Sequence, residues 1–203
     1  MNLKKLIPEL VSRLEDTGFD KDPKKIQSAS IPQIKSGSDL YIVAPKASGK
    51  STAIVMGVIQ QLKAPFEEAP RAIIMVATKE KAFELEEQFE ILGKHTELRT
   101  FTVFDQGVIQ YQKDMIFEGL DILIGTPKRL HELVKVDGVR LANLKMFVVD
   151  DLDSFTLVQY PLIYHVADSI PKSQFIMVAN SWNKNFSKLS ERIMKNPRIV
   201  KAD

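Results

Sequence analysis

Seven short apolar runs punctuate the chain: DLYIVA at 39–44, RAIIMVA at 71–77, RTFTVF at 99–104, DILIG at 121–125, KMFVVD at 145–150, QFIMVA at 174–179 and RIVKA at 198–202. Most are nearly continuous in apolar residues rather than alternating, which is the pattern of strands buried on both faces. The segments between them carry helical spacing. In TKEKAFELEEQFEILG (78–93), Phe83, Leu85, Phe89 and Leu92 share a broad face while the glutamates point away from it. Strand, helix, strand, repeated, predicts a doubly wound α/β fold: a mostly parallel central sheet of about seven strands with helices laid over both sides in three layers. No Ser- or Gly-rich linker divides the chain, so a single domain over 1–203 is expected. In such sheets ligands bind beyond the carboxyl ends of the strands, so the chemistry should sit in the turns that follow them.

Charge and composition narrow the classes. Lys and Arg number 28 against 26 Asp and Glu, a formal net charge of +2, so bulk electrostatics neither demand nor exclude a nucleic acid. There is no cysteine, hence no disulfide framework or thiolate metal site, and His95, His131 and His165 lack ligand spacing. The opening residues mix charge with apolar positions, unlike a signal peptide, and no later run approaches the ~18 apolar residues of a membrane span. A soluble, cytoplasmic protein with no membrane partner is the expectation.

Two turns carry distinctive chemistry. The run ending at Ala44 leads into PKASGKST and then a helical stretch, the context of a phosphate-binding loop. Backbone N–H groups of Ser48, Gly49 and Lys50 would cradle a β-phosphate. The Lys50 ammonium would span β and γ, the Ser51 hydroxyl would ligate Mg²⁺, and Ala47 and Thr52 complete the loop. Ala44 and Ala47 stand where such loops often have glycine. If position 47 requires a positive φ, alanine there costs on the order of 1 kcal/mol. The second turn, MFVVDDLDSF, puts Asp150, Asp151 and Asp153 at the end of a buried strand, where clustered carboxylates need a cation or donors nearby. Asp150 is the expected metal-site residue, holding the Mg²⁺ of a nucleotide.

Taken in order, these pieces resemble the first RecA-like domain of the DEAD-box RNA helicases, a P-loop NTPase fold, over nearly the whole chain. GFDKDPKKIQSASIP (18–32) looks like the family's adenine-reading Q motif, with Phe19 and Gln27 as its ligand-facing residues. A carboxamide suits that task because it both donates and accepts. APKASGKST is motif I, VATKEKA (76–82) resembles PTRELA, GLDILIGTPKRL (119–130) resembles the segment with TPGR, DDLD is motif II, and Ala179, Asn180 and Ser181 stand for the SAT triplet. The resemblance implies ATP and Mg as cofactors and RNA as a partner held by sequence-independent backbone contacts. By the same likeness Thr78, Lys79, Thr126, Lys128 and Arg129 are its phosphate contacts, and Asp153 with Ser181 couples the two ligands.

The departures shape the expected activity. Asp151 replaces the family glutamate that positions the attacking water and is one methylene shorter; a ~1 Å misplacement of a catalytic group costs on the order of 10²-fold. With Lys50 it forms the expected catalytic pair. The family's second domain, source of the arginine finger, is not found in these 203 residues. The expectation is therefore an ATP- and nucleic-acid-binding, helicase-like domain with weak or partner-dependent hydrolysis and no autonomous unwinding. A protein supplying the finger or the second domain would complete it. The alternative is a catalytically inactive, helicase-like scaffold that docks protein or RNA.

Overall fold

The computed structural model describes residues 2–66, 68–182 and 184–202. Two helices, α1 (Pro8–Thr17) and α2 (Lys25–Lys35), precede an alternation of strands and helices. These are β1 (Leu40–Val43), α3 (Lys50–Leu62), β2 (Ala72–Met75), α4 (Lys79–Gly93), β3 (Thr100–Val103), α5 (Ile109–Glu118), β4 (Ile122–Gly125) and α6 (Pro127–Lys135). There follow β5 (Met146–Val149), α7 (Tyr160–Asp168), β6 (Gln174–Ala179), α8 (Lys184–Ile193) and β7 (Arg198–Lys201). All seven strands fall within the apolar runs. They form one parallel sheet in the order β3-β4-β2-β5-β6-β1-β7.

The pleat explains why the strands read as continuous rather than alternating. Leu40, Ile42, Ala72, Ile74, Ile122, Ile124, Met146, Val148, Ile176 and Val178 enter one apolar layer, shared with Leu10 and Leu14 of α1, Ile26 and Ile34 of α2, and Leu85 and Phe89 of α4. Their neighbours Tyr41, Ile73, Leu123, Phe147 and Met177 enter the opposite layer with Ile116 of α5, Leu130 of α6, Ile163 of α7 and Leu189 of α8. Both faces of every central strand are thus withdrawn from water, and each buried large side chain contributes about 1.5–3 kcal/mol. In α4, Leu85, Phe89 and Leu92 are buried as their spacing predicts, but Phe83 is 41% exposed. It sits at the rim of the apolar face, its ring edge-on to Phe104 at 5.4 Å.

The amino-terminal edge of the sheet is held by a buried ion cluster. Asp121, with no exposed surface, accepts from Arg71 Nη2 at 2.7 Å and Arg99 Nε at 2.9 Å, and from the backbone N–H groups of Phe66 and Arg99. Arg71 also donates to the carbonyls of Leu62 and Ala64, so one carboxylate fastens the starts of β2, β3 and β4 to the end of α3. Burial disfavours the charge of Asp121, yet the hydrogen bonds from Arg99 and Arg71 hold its carboxyl below the ordinary aspartate range.

Because that carboxyl is depressed in the folded protein, its contribution is complete above the unfolded aspartate pKa near 4 and is lost as pH falls through the lower folded value. Asp121→Asn, which removes the counter-charge of two arginines, should cost about 3–5 kcal/mol and lower the melting temperature by about 10 °C at pH 7. Thermal melts between pH 7 and pH 2 check this. The gap between wild type and variant should narrow below about pH 4, and a gap independent of pH would show that the carboxylate charge contributes nothing.

Candidate functional site: a nucleotide pocket beside a polar cleft

Strand order divides the carboxyl edge of the sheet into two neighbourhoods. The loops after β1, β6 and β5 meet in one; those after β2, β4 and β3 meet in the other.

In the first, β1 turns through Pro45–Gly49 into α3, whose amino end the loop caps. Gly49 has φ +90°, and a Cβ there would lie 2.9 Å from Gln27 Nε2, so both backbone and space require glycine. Ala47 also has a positive φ, +62°, which answers the question left by the sequence: the turn is built at the expense of a strained alanine. Its carbonyl accepts from Lys24 Nζ at 2.8 Å. Gln27 is buried and its Oε1 accepts from the Lys24 N–H at 3.0 Å. Together with Phe19, Asp22, Lys24, Gly49 and Thr52 it lines a cleft of about 300 Å³ beside the loop. The hydroxyl of Thr52 is turned toward Gln88 of α4 at 3.4 Å.

Lys50 is 7% exposed and is no mobile loop cation. Its ammonium donates to the carbonyls of Ala44 and Pro45 at 2.6 and 2.7 Å and to Asn180 Oδ1 at 2.9 Å. Burial pulls its pKa down, opposed by the carboxylates of Asp150, Asp151 and Asp153. Ser51 Oγ donates to Asp150 Oδ2 at 2.7 Å, joining the two expected metal-site residues. Asp150 is almost wholly buried, burial raises its pKa against the Ser51 hydrogen bond, and its Oδ1 has no hydrogen-bond partner. The Ser48 hydroxyl is buried and unpartnered as well. An orphaned carboxylate oxygen next to a serine hydroxyl at the foot of a phosphate loop is a donor set that fits a hard, oxygen-seeking cation.

Asp151 lies in the left-handed region at φ +54°, and its carboxylate accepts from the Ser154 hydroxyl and, at 3.2 Å, from Asn180 Nδ2. Asp153 accepts from the backbone N–H of Asn180, one residue before Ser181, so it meets the end of β6 through the main chain.

The second neighbourhood is a cleft of about 330 Å³ lined by Thr78, Lys79, Asp105, Thr126, Lys128 and Gln159, among others. Thr78 caps the start of α4 with its hydroxyl and Thr126 occupies the N-cap position of α6, so two helix amino termini open here. Lys79 Nζ rests 4.6 Å from the Phe104 ring centre. Lys128 is exposed in the first turn of α6 with ordinary helical backbone. Arg129 is placed differently from its cleft neighbours. It is 5% exposed, and its guanidinium is committed to the carbonyls of Asp105 and Gly107, to Gln112 and to Glu132, so it braces the loop after β3 from below instead of facing the cleft. The sequence reading passed over Asp105, which accepts the Thr126 hydroxyl at 2.6 Å. Its position just after β3 was the available signal.

A parallel sheet with a glycine-bearing loop after one strand and an acidic turn two strands away is the arrangement of a P-loop domain of RecA type. Comparison with known proteins makes the class specific: the DEAD/DEAH box helicase family model matches residues 24–189, and the chain belongs to that family. Relatives include the ATP-dependent RNA helicase WM6 of Drosophila melanogaster, 28% identical over 98% of this chain and 48% of the relative. The ATP-dependent rRNA helicase RRP3 of Debaryomyces hansenii is 30% identical over 95% of this chain and 41% of its own length. The chain thus spans about half the length of the curated relatives it matches. Among solved structures, a DEAD box protein from the hyperthermophile Methanococcus jannaschii superposes with a TM-score of 0.91 at 20% identity, over 100% of this chain and 55% of that one. A Saccharomyces cerevisiae dbp5 variant bound to nup159, a gle1 variant, IP6 and ADP superposes with a TM-score of 0.88 at 19% identity, over 97% of this chain and 52% of that one. Among the described residues no helix is long and apolar enough to cross a membrane.

The strained Ala47 yields a direct check. Ala47→Gly removes a left-handed penalty of about 1–2 kcal/mol but adds unfolded-state entropy of about 0.5–1 kcal/mol, so the variant should be more stable by about 0.5 kcal/mol. Differential scanning calorimetry should find its melting point raised by about 1–3 °C. A lower melting point would mean that position 47 does not hold a positive φ.

Proposed function

We propose that this domain binds Mg·ATP in the pocket after β1 and RNA backbone in the neighbouring cleft, and that it hydrolyses ATP slowly unless another domain or protein completes the site. The observation that carries the first part is the Ser51–Asp150 pair with its unpartnered Oδ1, set beside the Lys50 ammonium at the loop. Gln27 and Phe19 lie where an adenine would be read. Ser48, Gly49 and Lys50 supply loop amides and charge to the phosphates, and Ser51 and Asp150 hold the cation. A Mg²⁺ held by Ser51 and Asp150 would supply charge neutralisation for phosphoryl transfer.

Slow turnover is supported by Asp151. Its shorter side chain is already engaged by Ser154 and Asn180, so its oxygens are committed to those donors where an attacking water would need them. An arginine finger from a second RecA-like domain or another chain would contribute about 10³–10⁵ in rate. The same bound state of Asp151 favours a second reading, a helicase-like scaffold that binds without chemistry. For RNA, the helix starts at Thr78 and Thr126 and the cations Lys79 and Lys128 favour phosphate, against the opposing charge of Asp105 and Glu80.

Calorimetric titration with ATP, with and without Mg²⁺ and against GTP, tests the nucleotide reading. The expected result is Mg²⁺-dependent binding that prefers ATP, weakened about 100-fold or more in Lys50→Ala, since charge-assisted hydrogen bonds to phosphate are worth about 1.5–3 kcal/mol each. No binding at millimolar ATP would leave the scaffold reading. For the cleft, Lys79→Ala and Lys128→Ala should each weaken binding of single-stranded RNA whatever its sequence and reduce the slope of log affinity against log salt by about 0.7. An unchanged slope in both would remove the cleft from the RNA path.

A further inference from the structure

We infer that Asn180 is a positioning residue: its carboxamide holds the Lys50 ammonium on the carbonyls of its own loop and links that hold to the acidic turn, so that a triphosphate recruits Lys50 only by displacing Asn180. The inference rests on the Mg·ATP reading above and adds to it a control built into this chain.

The topology makes the contact possible. β6 lies between β1, which launches the phosphate loop, and β5, which launches the acidic turn. The residue just past β6 therefore stands between the two catalytic loops, and that residue is Asn180. An ammonium has three donors, and those of Lys50 go to Ala44 O, Pro45 O and Asn180 Oδ1. Two of these acceptors are main chain, fixed by the strand and the turn. The third is a half-buried side chain and is the one that a phosphate oxygen displaces at least cost.

The other end of the carboxamide works in the opposite sense. Nδ2 donates to Asp151 Oδ1 at 3.2 Å, and the Asn180 N–H donates to Asp153. One amide thus presents its oxygen to a cation and its nitrogen to an anion. Reversing it would set NH₂ against the ammonium and oxygen against a carboxylate, so the surrounding charges fix its orientation. Alanine, which the family triplet SAT has at this position, can make neither side-chain contact. Displacement of the amide by phosphate frees Asp151 from one of its two side-chain donors at the same moment that Lys50 is released. Occupancy of the phosphate loop and the state of the acidic turn are thereby connected through one residue.

The experiment compares wild type, Asn180→Ala and the near-isosteric Asn180→Asp, all with native melting behaviour. Heteronuclear NMR of the lysine ammonium groups, with Lys50→Arg to assign the signal, measures protection of the Lys50 protons from exchange with water in nucleotide-free protein. Calorimetry on the same samples measures Mg·ATP affinity. In Asn180→Ala, Lys50 exchange should accelerate and Mg·ATP should bind more tightly, each by about three- to tenfold, the net scale of one hydrogen bond. Asn180→Asp keeps the acceptor and adds negative charge, so exchange should be as slow as in wild type or slower, and Mg·ATP weaker.

Lys50 exchange unaffected by Asn180→Ala overturns the inference. So does acceleration in both variants, which would mark a general loosening of the loop. If exchange diverges as expected while no form of the protein binds ATP, the hold on Lys50 stands and the nucleotide reading falls.

Discussion

Everything distinctive in this molecule depends on one constraint: seven parallel strands deliver their carboxyl ends to a single edge, and their lateral order decides which loops touch. Parallel pairing requires a crossover after each strand, and burial of both faces requires those crossovers to be helices. Helix starts and polar turns are therefore concentrated at one edge while the apolar residues fill the layers beneath. The opposite edge is structural, and the Asp121 cluster that fastens the starts of β2, β3 and β4 is its firmest element.

Within the functional edge, the insertion of β6 between β1 and β5 has the largest chemical consequence. It sets β1 and β5 two inter-strand spacings apart, about 9.6 Å, a span that the Ser51–Asp150 hydrogen bond of 2.7 Å closes, and it places Asn180 between Lys50 and Asp151. The other three strands, β2, β4 and β3, gather Thr78, Asp105 and Thr126 into the polar cleft. The two neighbourhoods meet at the β2–β5 pairing.

Strain and burial at the site follow the same logic. Ala47 and Asp151 both hold positive φ, and Asp150 and Lys50 are buried charges of opposite sign whose ionisation the interior disfavours. Such features reduce stability, and these four lie together where a bound anion and cation would offset them. The apolar layers tolerate this because the central strands carry almost no exposed surface.

Much was legible in the chain itself. The apolar runs located all seven strands, most clearly β2, β4 and β5, where burial at every position leaves no place for a polar residue. Leu85, Phe89 and Leu92 marked the buried face of α4, and the order of PKASGKST and DDLD pointed to nucleotide chemistry, since those residue types have few other uses at strand ends. Other features were decided only by tertiary structure. Phe83 has helical spacing but lies at the rim of its face, which periodicity cannot distinguish from the centre. Arg129 reads as a phosphate-facing cation, yet carbonyls of a loop some twenty residues earlier claim its donors. Asn180 reads as one residue of a triplet, and its contacts lie 29 positions away at Asp151 and 130 away at Lys50. Local pattern fixes what a residue can bury or donate, whereas the partner it meets is set by strand order, a property of the folded sheet as a whole.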